Sequence, residues 1–107
     1  MNDSTVARIP LDSIEIDPIF SGTFSSSPAA MENFKFLMES IREQGLMTPL
    51  VVVKSGSMYK LISGLRRFHA LRELKEHWVN VLVLKFKTND EILRYVMNTS
   101  HSAERKN

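Results

Sequence analysis

Leu50-Val51-Val52-Val53, Ser55-Gly56-Ser57, Met58-Tyr59-Lys60-Leu61-Ile62 and Ser63-Gly64-Leu65-Arg66-Arg67-Phe68-His69-Ala70-Leu71-Arg72 follow one another almost without a gap. The first block is a continuous apolar run, which suits a strand buried on both faces. Ser55-Gly56-Ser57 is a turn, and the next block returns as a second strand. A helix starts near Gly64, with Phe68, Leu71, Leu74 and Trp78 as its apolar positions. A strand hairpin running straight into a helix is the unit from which the rest of the fold is read.

Upstream, Ser27 followed by Pro28 is a helix start, with serine as cap and proline at the first helical position. Phe34, Leu37, Met38 and Ile41 recur at helical spacing, and Gly45 is placed to end that helix. Residues 18–28 form a Ser-rich connection; Phe20 and Phe24 within it are the aromatics least explained by a core, free to close over a ligand or a partner. Val6 to Ile14 reads as a first strand and its exit. Downstream, Val79 to Phe86 is a further strand, and Thr88-Asn89-Asp90-Glu91 is a capping box that starts a third helix with Ile92, Leu93, Val96 and Met97 inward. Phe34, Phe36, Phe68, Phe86 and Trp78 are assigned to packing rather than base stacking. The order is β-α-β-β-α-β-α, an α+β domain with a mixed sheet. Residues 1–101 are expected to form the domain and 102–107 a polar tail or the start of a following segment.

Composition narrows the classes. The 107 residues amount to one domain with a modest core. The absence of cysteine excludes disulfides, thiolate metal sites and cysteine nucleophiles, and fits a reducing cytoplasm. No apolar run approaches the ~18 residues of a spanning helix, and Met1 to Ile9 lacks the apolar stretch of a secretory signal. Charge is split: residues 1–53 carry three basic groups against seven acidic, residues 54–107 eleven against five. This points to an anion-attracting side, although an uneven solvated surface gives the same arithmetic.

The chemistry concentrates at Ser63-Gly64-Leu65-Arg66-Arg67. Gly64 permits a tight turn and close approach of a ligand. The first helical turn has open N–H groups and the positive end of the helix dipole. Arg66 and Arg67 stand in that turn, where cations are unfavourable by up to ~1 kcal/mol each. The nearest downstream acid is Glu73, so nothing local offsets them. A phosphate bound at the helix start would remove the conflict, and two solvated arginines at an exposed end are the plainer reading. His69 and Glu73, four apart, could share a metal ion, but an idle surface pair accounts for them more simply. No Walker A sequence and no G-x-S-x-G elbow occurs.

Gly64 to Ala70 resembles the GERRxRA box of ParB-type N-terminal domains. Ser40 to Val52 resembles that family's SI-x-x-x-GL-x-x-PI-x-V segment, Tyr59 to Gly64 its Y-x-L-I-x-G strand, and Ile9 to Ile14 its first strand. The resemblance covers residues 9 to about 86 in order. It implies a ParB/sulfiredoxin-like fold and a nucleotide triphosphate as ligand, CTP first, with Mg²⁺ as a further expectation. Ser63, Gly64, Arg66 and Arg67 would take the phosphates, and Gly45, Thr48 and Pro49 match the earlier nucleotide-side motif. Asn98 is the one agreement with the later E-N-x-x-R motif. Leu65 stands where the box has glutamate, and His69 where it usually has arginine. These departures imply little or no hydrolysis. Sulfiredoxin chemistry needs a cysteine this sequence lacks.

Three functions compete on this reading. One is a nucleotide-gated DNA-binding and partition module with an anion face on Lys60, Arg66, Arg67, Arg72, Lys85 and Lys87. Another is a ParB-like nuclease, phosphotransferase or slow CTPase, with no catalytic residue assigned and no metal ligand. The third is a protein-interaction module using the basic face. The first implies a cytoplasmic, nucleoid- or plasmid-associated protein that dimerises, has no membrane partner, and binds DNA weakly, without sequence preference and with steep salt dependence. Arg66→Ala and Arg67→Ala are both expected to weaken nucleotide binding with the fold intact, a first-turn arginine not being a core residue.

Overall fold

A computed structural model describes residues 4–99. β1 (Ser4–Pro10) leads through a 3₁₀ turn (Leu11–Ser13) into a two-residue β2 (Ile14–Glu15) and a short α1 (Pro18–Ser21). α2 (Pro28–Gln44) is followed by β3 (Leu50–Ser55), β4 (Met58–Ser63), α3 (Leu65–Glu73), β5 (Trp78–Leu84) and α4 (Asn89–Thr99). The strands form one mixed sheet in the order β1-β5-β3-β4-β2. β3 lies at its centre, antiparallel to β4 and parallel to β5.

The apolar run of β3 is buried on both faces, as its composition predicts. Leu50 and Val52 are fully buried in one cluster with Leu61, Val81, Phe34 and Ile41 of α2, and Phe68 and Leu71 of α3. Val53 points the other way, into a second cluster with Ile62, Leu84, Phe20 of α1 and Ile92 of α4. The alternation of strand side chains thus places α2 and α3 on one face and α1 and α4 on the other. The α+β class with a mixed sheet, expected from the sequence, is the one observed.

Most helix ends follow their caps. The Ser27 hydroxyl accepts from the Ala30 N–H at 3.2 Å, and the Thr88 hydroxyl from the Glu91 N–H at 3.2 Å. The Glu91 carboxylate closes the box one residue earlier than a standard one, accepting from the Lys87 N–H at 2.8 Å. α1 and β2 are additions to the sequence reading. Asp17-Pro18 does start α1, the carboxylate accepting from the Ile19 N–H at 3.1 Å, but four residues are too few to show a helical period.

Four side chains sit differently from expectation. Phe20 is buried, so the connecting segment contributes to the core after all. Phe36 and Met97 are 67% and 68% exposed. Trp78, half exposed, belongs to β5 and not to the preceding helix. α3 stops at Glu73 because Lys75 turns to a positive φ of 61°, and the Lys75 and Glu76 N–H groups return to the carbonyls of Arg72 and Leu71. That position favours glycine, since a Cβ crowds the left-handed conformation by roughly 1 kcal/mol. Lys75→Gly is expected to raise the unfolding free energy by about 0.5–1 kcal/mol, read from urea unfolding; an unchanged or lower midpoint at equal slope would count against this account of the helix end. The expected tail, residues 102–107, lies outside the described residues.

Candidate nucleotide-phosphate site

Ser63 ends β4, and Gly64 turns the chain into α3 with φ 105° and ψ 31°, a left-handed conformation. No side chain caps the helix, and its first turn contains no acid. The Phe68 N–H closes the first turn onto the Gly64 carbonyl at 2.8 Å. The N–H groups ahead of it make up a donor-rich helix start at the positive end of the α3 dipole.

The two arginines of this turn diverge. Arg67 is buried, and its Nη1 donates to the carbonyls of Thr48 at 2.8 Å and Pro49 at 2.9 Å. It therefore ties the start of α3 to the approach of β3. Thr48 and Pro49 contribute backbone carbonyls to this tie, while Gly45 is the exposed C-cap of α2, its N–H bonded to the Ile41 carbonyl at 2.8 Å. The premise that Arg67 is not a core residue is overturned: two carbonyls accept from its Nη1, and no buried side-chain nitrogen or oxygen among the described residues lacks a partner.

Arg66 is half-buried and reaches across to α2, its Nη2 donating to the Ala30 carbonyl at 2.8 Å. Its guanidinium lies 5.5 Å from the Phe24 ring centre and 5.8 Å from that of Phe34. The first turns of α2 and α3 thus come within one arginine side chain of each other, and two positive helix ends share a neighbourhood. Phe24 is one of the two connection aromatics that the sequence leaves without a core role, whereas Phe34 and the Ala30 carbonyl are parts of this site that residue types alone do not announce. A backbone acceptor has no sequence signature, and Phe34 reads as an ordinary core position.

His69 packs on Phe24 with ring centres 4.6 Å apart, and Arg72 Nη2 stands 3.1 Å from its Nδ1. A guanidinium only donates, so Nδ1 accepts and the proton of the neutral ring is on Nε2. Burial, and then the Arg72 charge, lower the His69 pKa from its ordinary value, with Glu73 opposing. The neutral ring is favoured in the folded state. The stability it carries is complete above the unfolded-state pKa of about 6.5 and is lost as pH falls through the lower folded value. Thermal melting should accordingly decline from pH 7.5 to 5.5, and His69→Gln should flatten that stretch of the profile; identical profiles for both proteins would contradict it.

The remaining basic residues do not form one face with the turn. Lys60 is half-buried on the α1 side of the sheet, 3.5 Å from the Asp17 carboxylate and 5.2 Å from the Phe20 ring centre. Arg72 is exposed on α3, across the sheet from Lys60, and stacks on Phe68 at 5.3 Å. Lys85 and Lys87 are exposed after β5, and Asn98 is exposed on α4, which packs on the face opposite α3. Leu65 is buried in the core where a box carboxylate would stand, so the turn offers no acid to a divalent ion. Among the described residues no group of three or more His, Asp or Glu side chains is placed to hold a metal, and no helix is long and apolar enough to cross a membrane.

A mixed five-stranded sheet with a glycine-turned, arginine-bearing helix start defines the ParB/sulfiredoxin class of small α+β domains. Within it, the chain belongs to the ParB N-terminal domain family, whose model matches residues 2–100. It is 42% identical over 65 residues to the chromosome-partitioning protein Spo0J of Thermus thermophilus, covering 61% of this chain and 23% of that protein. It is 36% identical over 84 residues to a probable plasmid-partitioning protein ParB of the same organism, covering 77% and 26%. The chain thus spans about a quarter of the length of these curated relatives. Among solved structures, chromosome-partitioning ParB of Caulobacter crescentus complexed with CTP-gamma-S superposes with TM-score 0.74 at 20% identity, over 96% of this chain and 55% of that one. Sulfiredoxin of Arabidopsis thaliana superposes with TM-score 0.65 at 26% identity, over 87% and 97%.

Proposed function

We propose that this domain holds the phosphates of a nucleoside triphosphate, CTP first, at the Gly64–Arg66 turn, and acts as the nucleotide-binding part of a DNA-partition protein. The observation that carries the reading is the uncapped, acid-free start of α3, set beside the first turn of α2 with Arg66 between them. Oriented N–H groups, two helix dipoles and a planar cation suit phosphate oxygens. Ser63 and Gly64 shape the turn, Arg66 supplies the fork, and Arg67 holds Thr48 and Pro49 in place behind it. Gly45 and Asn98 remain candidates from the family motifs alone. The choice of CTP follows the Caulobacter ParB complex, and the partition role follows the relatives that carry that name. DNA contact would be through phosphates, on the exposed Arg72, Lys85 and Lys87. Dimerisation belongs to this proposal, as does a nucleoid- or plasmid-associated location.

Calorimetric titration with CTP, ATP and GTP, each with Mg²⁺, tests it. Charge-assisted hydrogen bonds are worth ~1.5–3 kcal/mol. Arg66→Ala should therefore weaken binding by roughly ten- to a hundredfold, with melting little changed because the side chain is only half-buried. No binding by the unaltered chain at millimolar nucleotide, or equal binding by the variant, would overturn the reading.

A further inference from the structure

We propose that Phe24 and Phe34 clamp Arg66 and so act as positioning residues for the anion site, an inference that rests on the phosphate reading above. The two rings meet edge to face at 5.1 Å and 78°, and the Arg66 guanidinium lies against both. The Ala30 carbonyl fixes one end of the guanidinium. His69, tied to Arg72, backs the Phe24 ring.

Phe24 comes from the connection between α1 and α2, whose other bonds in this stretch are local. The Ser25 and Ser27 hydroxyls stand 3.4 Å apart, and the Ser27 N–H reaches Ser25 Oγ at 3.4 Å. One aromatic ring therefore anchors the connection, and it is the ring that faces the cation. Phe34 comes from the core side of α2 and is buried. The clamp joins a residue of the connecting segment to one of a helix, Phe24 folded down on Phe34.

An arginine side chain rotates about several bonds, and ordering it on ligand arrival opposes binding. The clamp orders Arg66 beforehand and aims it toward α2. This places the bound anion between the first turns of α2 and α3 rather than out over the solvent end of α3. A leucine at position 24 fills part of the space but has no π face for the cation.

The test uses the full chain with Phe24→Leu, Phe24→Tyr and Arg66→Ala, alone and combined, titrated with CTP and Mg²⁺. NMR of the Arg66 Nε–Hε group in the ligand-free protein accompanies the titrations. Phe24→Leu should weaken binding roughly three- to tenfold. Phe24→Tyr should bind as the unaltered chain does, and Phe24→Leu should add nothing once Arg66 is alanine. The Arg66 Hε resonance should lose its ring-current displacement in Phe24→Leu and keep it in Phe24→Tyr. Unchanged affinity in Phe24→Leu, or the same weakening with and without Arg66, overturns the positioning role. If the unaltered chain binds no nucleotide, the phosphate reading fails first, and the clamp is judged on the resonance alone: an unmoved Hε in Phe24→Leu sinks it.

Discussion

Gly64→Ala lowers the unfolding free energy by about 2–4 kcal/mol, from the strained backbone and the overpacking together. A Cβ at this position would stand 2.7 Å from Leu50 Cδ2 and 3.1–3.2 Å from the Arg67 guanidinium. Neither neighbour can give way easily. Leu50 is fully buried at the centre of the sheet, and the guanidinium is held by two carbonyls. The φ of 105° adds strain for any residue with a Cβ. Urea unfolding followed by circular dichroism gives the value; a loss below about 0.5 kcal/mol, the ordinary range for surface substitutions, would mean that the turn relaxes freely.

Arg67→Ala is the second large effect, about 2–4 kcal/mol of stability, because it removes charge-assisted hydrogen bonds and leaves a cavity. The Thr48 and Pro49 carbonyls lose this donor, and the buried space the side chain filled beside Gly64 collapses only in part. Arg67→Lys does not rescue it fully: an ammonium can serve both carbonyls, which share Nη1, but it leaves empty the space that Cζ and Nη2 fill beside Gly64. The contrast with Arg66→Ala is the decisive measurement. If both variants melt alike, the division of labour between a structural and a ligand-facing arginine is wrong. Equal loss of nucleotide affinity in a destabilised Arg67→Ala would be indirect, through the Thr48–Pro49 segment.

The pattern of residues foretold β3, β4, α2 and α4 because each has a strong local cause: an unbroken apolar run, a tight turn, or a cap followed by a period. It marked the Gly64 turn as a candidate anion site because glycine and two arginines at a helix start conflict with the dipole unless something compensates. It did not separate Arg66 from Arg67. The compensation for Arg67 is a pair of carbonyls eighteen and nineteen residues upstream, and backbone acceptors are identical at every residue. Phe24 was visible only as an aromatic without a core assignment; its partners are on two different helices. Trp78 was misplaced because Lys75 ends α3 in a conformation that glycine usually signals. Lys60 looked like part of a basic side because charge counting ignores which face of a strand a residue occupies. Its neighbour Leu61 points to the opposite core.

The pairing of β1 with β5 joins the first described strand to the last, along the whole length of both. During synthesis β1 leaves the ribosome long before its partner does, and it has no other neighbour in the sheet. The hairpin of β3 and β4 can form on its own schedule, but β1 cannot begin to pair until Trp78 has emerged, nor finish until Leu84 has. The sheet therefore closes late, and a nascent chain halted before β5 carries an unpaired strand edge for a chaperone, or for another nascent chain, to find.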